Sequence, residues 1–211
     1  MRRNMPVDVS SLIDVVESSV YYIEGRIFVS VNGGAEELAS GYTGAGFLCD
    51  DGRFVTARHC VSWRYNPEIS MFATMYPDMV KIRIEIKARN MNGDVMNFNA
   101  SDFTVDESKD KTYQLDDVDE NNNRIKFICA IPLNDENDMW TTDWAYIRTN
   151  KRGKIKINSE LSVSMNNGTE LHMLGFPMGL GASESGIMPV YNKMTTAMPG
   201  LAHQNCIMVS E

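Results

Sequence analysis

Long apolar runs are missing from this chain of 211 residues. A bilayer-crossing helix needs about 20 consecutive apolar residues, so no membrane span is expected. Cysteine and histidine are scarce, at four and three, and no CxxC pair occurs. That argues against a zinc site. A concentrated Lys/Arg cluster is also lacking, so the basic stripe that a phosphate backbone requires is absent and nucleic acid is not an expected ligand. The N-terminus opens Met1-Arg-Arg like a signal peptide, but Asp8, Asp14 and Glu17 stand where an apolar core would be needed. No export signal is read, and an intracellular location is the default expectation. What is present is ordinary: 43% hydrophobic and 23% charged residues, a composition that excludes disorder, collagen, coiled coil and a disulfide scaffold. The chain is long enough to bury a core without covalent staples.

Acidic residues outnumber basic ones by 28 to 20, for a net charge of −8, and the excess is local. Residues 106–123 hold seven acids against two lysines, and residues 134–138 add three more acids. Together they account for the whole imbalance. Both stretches read as solvated loops, and 106–123 is the one linker-like segment.

The cysteines are at 49, 60, 129 and 206. If Phe47–Cys49 and Phe54–Thr56 are arms of a hairpin turning at Asp50-Asp51-Gly52, Cys49 sits at the tip and Cys60 beyond the far end. At about 3.3 Å per residue that separation exceeds roughly 15 Å, against the ~7 Å a disulfide tolerates. Buried thiols are expected, which suits a reducing compartment.

β signals dominate the chain. Residues 4–19 read as a short helix or extended lead-in, with Leu12, Val15 and Val16 as a modest apolar face. Val20–Ile23 and Arg26–Val31 are β-branched and aromatic, and a strand-turn-strand with its turn at Glu24-Gly25 is predicted. Lys81–Lys87 alternates polar and apolar over its whole length, the clearest half-buried strand. Val95–Asn99, Arg124–Ile131, Trp144–Ile147, Leu161–Met165 and Leu171–Leu174 continue the series. Many short strands between Gly, Asn and Asp turns argue for an antiparallel barrel or sandwich.

Three motifs bear on chemistry. The first is Gly44-Ala-Gly-Phe-Leu-Cys49-Asp-Asp-Gly-Arg53-Phe-Val-Thr56-Ala-Arg-His59-Cys60-Val61. A general base needs a rigid mount, and a histidine just past a paired strand is held by the hairpin behind it. This segment resembles the surroundings of the catalytic histidine in trypsin-like (chymotrypsin-fold) serine proteases, especially the high-temperature-requirement branch. The second is Asp143-Trp-Ala-Tyr-Ile147, similar to the strand whose leading aspartate orients that histidine. A base at His59 needs an acceptor for its Nδ1 proton; Asp143 opens a hydrophobic strand, whereas Asp135 and Asp138 sit in polar loop. The third, Leu174-Gly-Phe-Pro177-Met-Gly179, resembles the Leu-Gly-x-Pro-x-Gly segment of the second barrel. The resemblance covers about Ser18 to Glu211.

It implies two antiparallel six-stranded β-barrels, all-β and chymotrypsin-like. A lead-in occupies 1–17, the first barrel 18–130 with an acidic insertion near 106–123, and the second barrel 131–211, incomplete at its C-terminus. It implies a serine endopeptidase acting on polypeptide, with His59 as base and Asp143 as orienting acid and with neither cofactor nor metal. The family's Gly-(Asn/Asp)-Ser-Gly-Gly motif is not found here, and by the family's spacing the serine is expected just after Glu211. Ser183, Ser185 and Ser210 lack the required setting, as do Cys60, Cys129 and Cys206. The alternative is an inactive protease-like fold serving as a binding or regulatory module. His172 and His203 read as structural. Ile23-Glu-Gly-Arg26 could mark an activation cut but reads more simply as strand and turn. The interval from His59 to Asp143 is about double the family's, so 106–123 is an insertion, either a surface loop, a docking element for a regulatory partner, or an element favouring basic substrates.

Overall fold

The computed structural model describes residues 9–106, 112–118, 124–130, 143–157, 170–176, 182–183, 186–188, 190–198 and 208–210. The lead-in is a helix, α1 (Val9–Ser19), running directly into strand β1 (Val20–Val31). Leu12, Val15 and Val16 recur at helical spacing, and Val16 is buried. The helix end is fastened: Ser18 Oγ donates to the Asp14 carbonyl at 2.8 Å. The buried Ser19 Oγ accepts the Lys154 N–H, also at 2.8 Å.

The turn predicted at Glu24-Gly25 does not form, and β1 runs straight through it. Gly25 pairs with Tyr42 of β2 (Glu37–Leu48), and the Tyr42 ring lies against it. A Cβ at position 25 would sit 1.9 Å from a ring carbon. The glycine marks a close approach of a side chain to the strand, not a bend.

Seven antiparallel strands follow the order β5-β4-β1-β2-β3-β9-β6. β3 is Arg53–Thr56, β4 Val80–Asn90, β5 Val95–Asn99, β6 Thr104–Val105 and β9 Ala145–Arg148. Along β4, Ile84, Ile86 and Ala88 point into the core while Glu85 and Lys87 between them are exposed, the period of a half-buried strand. Phe98 belongs to one edge strand and Phe103 adjoins the other, yet their rings are 5.5 Å apart. The sheet therefore curls into a half-barrel. Fully buried Phe54, from β3, fills the concavity, meeting Tyr21 edge-on at 5.5 Å, Phe98 at 5.1 Å and Phe103 at 6.5 Å. Burying such a ring contributes about 1.5–3 kcal/mol.

β9 is hydrogen-bonded to β3 on one side and β6 on the other, which places Ala145–Arg148 in the same sheet as β1 to β6. The remaining described β structure is a three-stranded sheet, β10 (Glu170–Gly175), β13 (Val190–Met198) and β14 (Met208–Ser210), with two two-stranded pairs. One pair is β11 (Ala182–Ser183) with β12 (Gly186–Ile187). Two closed six-stranded barrels are not seen among the described residues. The three-stranded sheet is linked to the half-barrel through Phe176, which meets Tyr22 of β1 edge-on at 5.4 Å.

The acidic stretch is not all loop. Its middle forms β7 (Thr112–Val118), paired with β8 (Arg124–Ala130) in a register that sets Asp116 opposite Lys126. Charge hides a strand here, because Tyr113 and Leu115 alternate with polar residues in the period of two. A helix absent from the sequence reading, α2 (Pro67–Met75), starts at Asn66, whose side-chain oxygen accepts the Ile69 N–H at 3.1 Å. Asn as N-cap followed by Pro in the first turn is the signal that was there to find. The expected strand Leu161–Met165 lies outside the described residues.

Candidate active site

The hairpin β2–β3 turns at Asp50-Asp51-Gly52, where Gly52 has φ +87°. Only glycine adopts that conformation without strain. Asp51 closes the turn by accepting the Arg53 N–H at 3.1 Å and pairing with the Arg53 guanidinium at 2.6 Å. β3 ends at Thr56, whose hydroxyl donates to the Ala45 carbonyl at 2.8 Å. One 3-10 turn follows, Arg58–Cys60, closed by Cys60 N–H to Ala57 O at 3.1 Å and Val61 N–H to Arg58 O at 2.9 Å. His59 sits at the middle of that turn.

Asp143 arrives by strand pairing. β9 runs antiparallel to β3 with Ala145 opposite Thr56. Continuing past the pair, the chain before Ala145 meets the chain after Thr56, which brings Asp143 to the turn. His59 Nδ1 lies 2.9 Å from Asp143 Oδ2 and 3.3 Å from Oδ1. The His59 backbone N–H donates to Oδ1 at 3.0 Å, and the Arg58 backbone N–H also bonds the carboxylate. With Nδ1 turned to the acid, Nε2 is the nitrogen left to exchange a proton with a reacting group. The site is open: the His59 side chain is 54% exposed and that of Asp143 32%.

The electrostatics match a charged pair. The hydrogen bond to Asp143, and secondarily the Cys60 side chain, hold the His59 pKa well above its ordinary value, to about 10, against the opposing effect of burial. Burial disfavours the Asp143 carboxylate, but the His59 ring and the two backbone N–H groups outweigh it and leave its pKa lowered.

Around the pair, the Tyr65 ring lies edge-on to His59 at 6.3 Å. Arg58 is buried, and its Nη1 donates to the Asp106 carbonyl at 2.9 Å, fastening the start of the acidic stretch to the histidine turn. Nothing in the sequence marks that long-range contact. Trp144, 39% exposed, stacks on Tyr146 at 6.1 Å. It helps wall an apolar cavity of about 680 Å³ that Asp143 and His172 also line.

His172 lies in β10, paired opposite Lys193. Ser183 is in the two-residue β11 and Ser210 in β14. Cys129 is in β8, whereas Asp135, Asp138, Pro177, Ser185, His203 and Cys206 fall outside the described residues. Cys49 and Cys60 are buried free thiols, with burial pushing the Cys49 pKa up. Among the described residues, no group of three or more His, Cys, Asp or Glu is placed to hold a metal ion, and no helix is long and apolar enough to cross a membrane.

No protein-family model matches the chain, and neither does any curated protein. Among solved structures, the crystal structure of Deg5 superposes at a TM-score of 0.38 with 16% identity, covering 90% of this chain and 62% of that one. This chain thus spans less than two thirds of that protein's length, and so loose an overlap establishes neither shared fold nor shared activity.

Proposed function

We propose that His59 and Asp143 are the general base and orienting acid of a serine endopeptidase, in a chymotrypsin-like arrangement of which the half-barrel is the first unit. One observation carries the reading: the Asp143 carboxylate bonds both the ring Nδ1 and the backbone N–H of His59, at 2.9 and 3.0 Å. Such a contact fixes tautomer and ring orientation together, which a proton-transferring imidazole requires.

In the reaction, Nε2 of the neutral imidazole, the form that the raised pKa reserves to the alkaline side, takes the proton of a serine hydroxyl as its oxygen attacks the substrate carbonyl carbon. The imidazolium, stabilised by Asp143, then protonates the departing amine, and the acyl-enzyme is hydrolysed by water activated through the same nitrogen. The nucleophilic serine is not among the residues placed here. The substrate is polypeptide, and the residues named here use no cofactor.

The test is a fluorophosphonate probe on the full-length protein, with the labelled residue located by mass spectrometry. Labelling of a single serine, lost in His59→Ala, is expected. An unlabelled protein would overturn the peptidase reading and favour a protease-like fold used as a binding or regulatory module.

A further inference from the structure

We propose that Tyr42, on β2, is a positioning residue that fastens the His59 turn to the sheet through the carbonyl of Cys60. The inference rests on the endopeptidase reading, which gives His59 its task.

A single 3-10 turn satisfies few of its own backbone groups, and its last carbonyls need outside donors. Within Arg58–Cys60 the carbonyls of Ala57 and Arg58 are used internally. The Cys60 carbonyl receives the Tyr42 hydroxyl, which reaches it from β2. Burial first, and Cys60 next, keep the pKa of that hydroxyl above the ordinary phenol range, so it stays protonated and donates across the working pH range.

The tyrosine can reach because of a glycine on the neighbouring strand. A Cβ at Gly25 would lie 1.9, 2.3 and 2.4 Å from three carbons of the Tyr42 ring. No side chain fits there without driving the ring, and its hydroxyl, off the turn. Two residues along β2, on the same face as Tyr42, Gly44 makes a second seat: a Cβ there would lie 2.9 Å from Cys60 Sγ. Cys60 itself is 3% exposed. The turn is therefore held from behind at Cys60, by a hydroxyl on its carbonyl and a slot for its thiol, and from the front by Asp143 on His59. Holding a base to a fraction of an ångström takes both, since a misplacement of about 1 Å costs roughly 10²-fold in rate.

The experiment compares the full-length protein with Tyr42→Phe, which keeps the ring and removes the hydroxyl, and with Gly25→Ala, which keeps the hydroxyl and displaces the ring. The readouts are the His59 titration by NMR on histidine-labelled protein, and kcat and KM for a peptide substrate. Each variant is expected to shift the His59 titration away from that of the wild type and to lower the limiting kcat of the pH–rate profile, reached where His59 is neutral, about 10- to 100-fold with KM little changed. The double variant should show no further drop. A His59 titration identical to the wild type in both variants, even with a lowered Tm, overturns the proposal, because a purely structural tyrosine would alter stability alone. Should Tyr42→Phe not fold, Gly25→Ala decides. Should the wild type lack peptidase activity, the endopeptidase reading falls while the titration still decides whether Tyr42 positions His59.

Discussion

Thr56 and Ala145 face each other across β3 and β9, and that pair sets where His59 and Asp143 meet. Thr56 is the last residue of its strand and Ala145 the first of its own. The two strands diverge just where the histidine turn begins and the aspartate ends its approach. Ala145 is fully buried, so the register is fixed by the core and the catalytic contact proposed for His59 inherits the rigidity of the half-barrel.

The pair should leave a signature in stability against pH. A raised folded pKa at His59 contributes stability that is complete below the unfolded value of 6.5 and is lost as pH rises toward about 10. A lowered pKa at Asp143 contributes stability present above its unfolded value of 3.8 and lost as pH falls through the lower folded value. Urea denaturation of wild type and Asp143→Asn should therefore show a stability difference greatest between pH 3.8 and 6.5, declining on either side. A difference that grows steadily from neutral to alkaline pH would contradict the assignment.

Gly153 lies against the end of β2, where a Cβ would meet the Leu48 carbonyl oxygen at 1.9 Å and the Leu48 carbonyl carbon at 2.6 Å. Its N–H also donates to the Cys49 carbonyl at 2.9 Å. Backbone cannot yield as a flexible side chain can, so Gly153→Ala should cost about 1–3 kcal/mol. Thermal unfolding measures it; an unchanged Tm would show that this crossing is looser than drawn.

Phe54 touches both ends of the curl through Phe98 and Phe103. Phe54→Ala should cost about 3–5 kcal/mol, read by chemical denaturation, and a loss below about 1 kcal/mol would place the core elsewhere.

Much of the sheet was legible locally. Lys81–Lys87 alternates as a half-buried strand must, and it lies within β4; Val95–Asn99 coincides with β5. The Asp-Gly turn placed the β2–β3 hairpin. What local pattern could not supply were features owed to distant partners. Gly25 reads as a break until Tyr42 is seen lying over it. The exposed first half of β2, from Glu37, has little apolar patterning of its own and is ordered by pairing with β1. β7 was hidden under its charge. The pairing of β9 with β3 is a long-range hydrogen-bond ladder that no local composition encodes. The same ladder brings His59 and Asp143 together.

The most direct test of the central claim is the turnover of a peptide substrate by full-length protein before and after Asp143→Asn. Asparagine preserves shape but offers the imidazole the wrong hydrogen-bonding partner, and kcat should fall about 10⁴-fold while the fold, read by circular dichroism, is retained. Turnover within a few-fold of the wild type would contradict the account, because the carboxylate against His59 would then have no part in the chemistry.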